Sequence, residues 1–200
     1  MPASIFDTLL VKGIRAGEVP GRTEEAREWY RNRAKNVSRA RVSEQRFRRD
    51  LPERMQQDIS FGSMYMFSYD PKLKNTLPYY DQFPLVFPIN TASGGFLGMN
   101  MHYLPPQLRA RLMDALYDTV TNQRYDQSTT LRISYDILNS AAKFNLFKPT
   151  IKHYLYKQVR SRFIYIEPSE WDIALFLPTA KWAKAGSATV YADARRKIRG

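Results

Sequence analysis

The chain contains no cysteine. Disulfides, thiolate zinc sites and cysteine nucleophiles are thereby excluded, and the core must be held by packing and hydrogen bonding. Histidine is nearly as scarce, with only His102 and His153. His102 falls in an expected strand, and His153 on a basic segment with no acid between Asp136 and Glu167. Both read as structural rather than catalytic or metal-binding. Long apolar runs are missing too. No stretch approaches the ~18 residues of a membrane span, and the opening MPASIFDTLLVKGIRAGE lacks the cationic head and apolar run of a secretory signal. No membrane partner is expected, and the chain should be cytosolic or carried in an assembly made in the cytosol. Acidic residues are the last shortage: 19 stand against 31 Lys and Arg, a formal net charge of +12. Such an excess of cations makes nucleic acid the natural partner.

The cations are not spread evenly. Between Arg31 and Arg49 the chain reads RNRAKNVSRARVSEQRFRR, with Glu44 as its sole carboxylate. At roughly 100° per residue Lys35, Arg39, Arg46 and Arg49 share one flank with Arg31, and Trp29, Val37, Ala40, Phe47 and Leu51 gather opposite. A solvated helix would interleave Glu and Lys, so this spacing predicts a docked, phosphate-facing helix. It should start near Thr23, a suitable N-cap, and run with one break to about Leu51. A second acid-free stretch holds Lys148, Lys152, Lys157, Arg160 and Arg162, and a third closes the chain with Arg195, Arg196, Lys197 and Arg199.

From Gly62 the texture changes. MYMFSYD, PLVFPIN and GFLGMNMHYL are short aromatic or β-branched runs separated by loop compositions, and RFIYIEP is a fourth. In the first run Met64, Met66 and Ser68 face one way and Tyr65, Phe67 and Tyr69 the other, which predicts a strand buried on both sides. Helices are expected over QLRARLMDALYDTVTN, from Ser128 or Thr129 to about Ala142, and over TIKHYLYKQVRSR with Pro149 in its first turn. The segment SEWDIALFLP is of uncertain type, and the tail from Lys181 is polar. These signals predict an α+β fold, a small curved β-barrel of SH3-like or OB-like kind with a helical insertion. The expected divisions are a basic helical arm over 1–61, a core over 62–178 and a basic C-terminal tail over 179–200.

Catalytic constellations are thin. The run GGFLG lacks the Lys-Ser/Thr of a phosphate loop and reads as a strand-entry turn. A nuclease needs converging carboxylates to hold magnesium. Asp70 and Asp81 flank one loop, and Glu167, Glu170 and Asp172 cluster near the last strand, where turn formation and helix capping account for them. No cofactor, metal or small-molecule substrate is expected. The candidate DNA-binding residues are Arg31, Lys35, Arg39, Arg46, Arg49, Lys148, Lys152, Lys157, Arg160 and Arg162. Tyr79 and Tyr80 in LPYYD stand open to two readings, stacking on an unpaired terminal base or core packing.

The segments GSMYMFSYDPKLKNTLPYYDQFPLVFPIN, GFLGMNMHYLPPQLRARLMDALYD and KHYLYKQVRSRFIYIEPSEWDIALFLP resemble the DNA end protector proteins of T4-like contractile-tailed bacteriophages. The resemblance spans about Gly62 to Pro178. It implies a non-enzymatic, minor virion protein that attaches to the ends of packaged double-stranded DNA and shields them from host exonuclease. The implied setting is the virion, with passage through the host cytoplasm, and the implied partners include portal, neck or tail proteins. A structural neck, portal or baseplate connector is the rival reading, and a metal-dependent nuclease a remoter one.

Overall fold

The computed structural model describes residues 3–120 and 135–200. Helix α1 (Ile5–Arg15) opens on a capping box in which Ser4 and Asp7 satisfy each other's backbone amides, and it buries Ile5, Phe6 and Leu9. Helix α2 (Glu24–Lys35) starts where expected, with Thr23 Oγ1 accepting the Ala26 N–H at 3.1 Å. It does not continue to Leu51. After Lys35 come a 3-10 turn at Arg39–Arg41 and a separate helix α3 (Glu44–Asp50) capped by Ser43. The 100° phasing used across 31–49 is therefore lost between α2 and α3.

The strands are β1 (Met55–Gln56), β2 (Met64–Met66), β3 (Tyr80–Asp81), β4 (Leu85–Ala92), β5 (Gly95–Asn100), β6 (Ile151–Leu155), β7 (Phe163–Ile166) and β8 (Trp182–Ala183). Six form one sheet in the order β1-β7-β2-β4-β5-β6, with every pairing antiparallel, while β3 and β8 make a separate ribbon. The class is α+β, but the sheet is open and the expected barrel is not formed. A lone bridge from Tyr69 to Val159 brings the end of β2 to the connection after β6 without completing a ladder. The β4–β5 hairpin turns at Gly94, whose φ of 69° suits glycine. At Gly95 a Cβ would sit 1.8 Å from the Tyr154 carbonyl oxygen, so β5 and β6 approach this closely only because that position has no side chain.

The expected helix over 150–162 is a correction. Residues 151–155 are strand β6, followed by a 3-10 turn at Tyr156–Gln158. Tyr154 explains the outcome: it is buried with its ring 5.3 Å from Phe67 and 5.4 Å from Phe96. Tertiary packing of that ring on a neighbouring strand outweighs the apolar spacing that suggested a helix. The alternation of β2 is realised. Met64 and Met66 enter the main core, and Tyr65, Phe67 and Tyr69 enter an aromatic cluster with Phe96, Tyr154 and Phe163 on the opposite face.

Helix α4 (Pro106–Val120), α5 over the described residues 135–141, the fully buried α6 (Trp171–Phe176) and α7 (Ser187–Arg199) complete the fold. The expected helix start near Ser128 lies outside the described residues. Phe6, Leu9, Tyr30, Phe47 and Leu51, all before Gly62, share one core with sheet residues such as Leu85 and Ile164. The closing basic segment is helix α7, which buries Val190 and Ala194. No described helix is long and apolar enough to cross a membrane.

Candidate nucleic-acid interface

Ser68, just past β2, is where two of the basic stretches meet. Its hydroxyl is held by Glu44 and by Arg48 of α3, the latter donating at 2.9 Å. Its amide donates to Ser161 Oγ at 2.9 Å and its carbonyl accepts the Arg160 N–H at 2.8 Å. The α3 cations thus lie beside the 157–162 segment, about a hundred residues away in sequence. Three neighbouring acids are consumed locally: Glu44 pairs with Arg48, Asp50 with Arg49 at 2.7 Å, and Asp70 with Lys74 at 2.9 Å and Arg160 at 3.6 Å. Hydrogen bonding and charge from Lys74, then Arg160, hold the Asp70 carboxyl below its usual range.

The ten predicted cations separate into four groups. Arg39, Arg46, Lys148, Lys157 and Arg162 are exposed and, among the described residues, make no ion pair. Exposed Arg49 and Arg160 are ion-paired, and Lys35 lies 5.2 Å over the Phe176 ring. Lys152 is half-buried with its ammonium 4.0 Å over the Tyr103 ring. Arg31 must be withdrawn from any DNA-facing surface. It is 3% exposed, donating to Asp172 at 2.7 Å, Asp114 at 2.9 Å and Glu28 at 3.1 Å. The inward face of α2 carries Ala26, Tyr30, Arg31 and Ala34, a seam rotated from the one suggested by Trp29 and Val37. Exposed Arg41, overlooked as a candidate, belongs with Arg39.

A cavity of about 410 Å³ opens next to this surface. Residues 69–73 connect the two, since Tyr69, Pro71 and Lys72 line it directly after Ser68. Tyrosines 79, 80, 103 and 154 form much of the remaining wall, with Lys152 and Lys197 as cations. Tyr79 donates to Asp193, and burial together with that carboxylate pushes its phenol up. Asp193 also pairs with Lys197 and Arg196, each at 2.8 Å. Its carboxyl is lowered to about 2 by the Lys197 and Tyr79 hydrogen bonds. Lys152 has no carboxylate partner among the described residues. Burial first, then Lys197, lower its ammonium to about 8.

His102 has the acidic neighbour that its sequence surroundings did not show. Its Nδ1 lies 2.6 Å from Asp81 Oδ2 and its Nε2 3.0 Å from Thr179 Oγ1. An acid, an imidazole and a hydroxyl in line match the order of a nucleophilic triad, but all three are buried and His102 is wholly so. Asp81 also accepts the amides of Phe83 and Lys181 and the Asn100 side chain, at 3.1, 3.2 and 3.1 Å. Four donors on one carboxylate tie β3, β5 and the 179–181 segment together, a structural role. Among the described residues, no group of three His, Cys, Asp or Glu could hold a metal ion.

The arrangement can neutralise phosphates along an exposed basic surface and receive a small aromatic or anionic group beside it. A family model described as phage T4 terminal DNA protecting protein matches residues 23–196 of the 200. No curated protein and no solved structure matches the chain. The family match covers most of the sequence, and the chain belongs to the phage T4 terminal DNA protecting protein family.

Proposed function

We propose that this member of the phage T4 terminal DNA protecting protein family works without turnover, binding the ends of packaged duplex DNA and covering them against host exonuclease. The observation that carries this is the convergence at Ser68 of α3 with the 157–162 segment, leaving Arg46, Lys157 and Arg162 exposed and unpaired among the described residues. Charge of this kind contacts phosphates and reads no base edges, so binding is sequence-blind. Protection asks only for tight binding and enough bulk to block the entry of a nuclease. The protein would act in the virion and, after DNA entry, in the host cytoplasm. A second surface supports contact with a portal, neck or tail protein of the particle. Val11 and Ile14, one turn apart on α1, are 46% and 61% exposed, an apolar strip that a partner would cover.

The test is digestion of a linear duplex by a processive exonuclease with increasing protein. Protection should saturate with binding, and affinity should fall steeply with salt, by about 0.9 log units per phosphate contact for each tenfold rise. Replacing Arg39, Arg41 and Arg46 by Gln should make that slope shallower by about 2.7, three contacts at 0.9 each. Unchanged digestion at saturating protein overturns end protection. An unchanged slope in the triple variant assigns those arginines to another partner.

A further inference from the structure

We propose that the tyrosine-lined cavity beside the basic surface is a pocket for one unpaired, 5′-phosphorylated terminal nucleotide, its base against the tyrosine rings and its phosphate at Lys152. This deepens the end-protection reading above and rests on it. Three observations converge. The volume, about 410 Å³, falls at the low end of the ~300–1,000 Å³ of small-ligand sites. It accommodates a single nucleotide and not a base pair. The wall is chemically suited to a nucleotide, since flat tyrosine faces accept any base without regard to sequence. Half-buried Tyr80 presents a ring at the cavity, while Tyr103 and Tyr154 are fixed in the core behind it.

The cations complete the case. A terminal phosphate monoester carries close to two negative charges near neutral pH, against one for a bridging diester. Lys152 lines this cavity with no carboxylate partner among the described residues, and exposed Lys72 and Lys197 stand on the same wall. Lys197 is shared with Asp193, so Lys152 and Lys72 are the lining cations left without an ion pair among the described residues, and of the two Lys152 is the half-buried one. The one carboxylate in the lining, Asp81, already accepts four hydrogen bonds from the protein. Location then supplies the connection to duplex DNA. Ser68 belongs to the basic surface and Tyr69 to the cavity wall, one residue apart in the chain, and in this proposal a duplex lies along the first with its end at the second. A paired end would have to fray by one nucleotide to enter.

The same chemistry could serve a free mononucleotide, and the experiment separates the two sources. Full-length protein is titrated by fluorescence anisotropy into a DNA hairpin with one open, mismatched 5′-phosphorylated end. A dumbbell of the same sequence closed at both ends and free dAMP are measured beside it. The open hairpin should bind more tightly than the dumbbell. Removing its 5′-phosphate or its terminal base should reduce that preference by about five- to a hundredfold, the worth of one stacked or charge-paired group. Lys152→Gln and Tyr80→Leu should each reduce the open-to-closed ratio over the same range. In Lys152→Gln, phosphate removal should have no further effect, the signature of a shared contact. Thermal melting of both variants confirms folding, and Lys152→Gln stands as the test if Tyr80→Leu fails to fold. Ends that are preferred and protected, with both ratios within twofold of wild type, overturn the pocket alone. Equal binding of open and closed DNA with no protection overturns the end-binding reading itself. Tight dAMP binding that leaves the end preference untouched assigns the cavity to free nucleotides and overturns the proposal.

Discussion

Replacing Arg31 by Gln should cost the protein much of its stability, although by sequence Arg31 belongs to the most conspicuous basic stretch. The guanidinium is 3% exposed and the Asp172 side chain 2% exposed, with Nε and Oδ1 2.7 Å apart. Burial alone would lower the Arg31 pKa, but Asp172 and Asp114 outweigh it and hold the group above its ordinary value. Glu28 and Asp114 are about half exposed, so those two bridges contribute little, ~0–1 kcal/mol each. The dominant effect is removal of one member of the buried Arg31–Asp172 pair, which costs about 3–5 kcal/mol. For a chain of this size that is a fall in Tm of about 6–20 °C. Scanning calorimetry or circular-dichroism melting measures it directly. The double change Arg31→Met with Asp172→Leu should recover most of the loss, because an apolar pair of similar volume needs no desolvation. If Arg31→Gln melts within about 2 °C of wild type while DNA affinity drops, the burial argument is refuted and Arg31 is a DNA contact after all.

Arg109→Met should also destabilise, by about 2 kcal/mol. The buried guanidinium donates to the carbonyls of Leu104 at 2.7 Å and Leu175 at 2.5 Å, acceptors that methionine leaves unsatisfied. Urea unfolding checks this, and an unchanged midpoint would show that water replaces the arginine. Lys152 gives a pH signature. Its folded-state value of about 8 lies below the ordinary 10.5, so between these limits the folded protein binds fewer protons than the unfolded chain and stability rises with pH. Lys197 and Asp193 of α7 and the Tyr103 ring face it. The difference in urea midpoint between wild type and Lys152→Met, followed from pH 7.5 to 10.5, should shift in favour of wild type, and a flat difference would show an ordinary, solvated lysine.

Much of the fold was legible because its signals are local. The Thr23 cap, the two-faced alternation of Met64 to Tyr69 and the turn at Gly94 are decided within a few residues, and each appears where the residues put it. The failures share a different cause. Lys152 and Tyr154 occur in a run whose helical spacing is real, but β5 offers Phe96 and the bare backbone of Gly95, and only the fold brings them there. Sheet closure is equally non-local, since alternation along strands cannot say whether β1 and β6 meet. His102 was read without its acid because Asp81, 21 residues earlier, reaches it only through the β3 turn.

The same distinction decides which cations are free. Composition counts 31 bases against 19 acids, but what faces outward depends on how acids are spent. Asp172 neutralises Arg31 across 141 residues, a pairing invisible to any window of sequence. Around Ser68 the reverse holds: Glu44, Asp50 and Asp70 are each satisfied within four residues by Arg48, Arg49 and Lys74. Those local pairs spend three of the nearby carboxylates and leave Arg46, Lys157 and Arg162 on the outside with no ion pair among the described residues. Acid placement, more than the number of arginines, therefore creates the exposed positive surface. Reversing one charge there should be more damaging than neutralising it. Arg46→Glu adds a repulsion to the lost contact, and should weaken duplex binding more than Arg46→Gln while melting within about 0.5 kcal/mol of wild type.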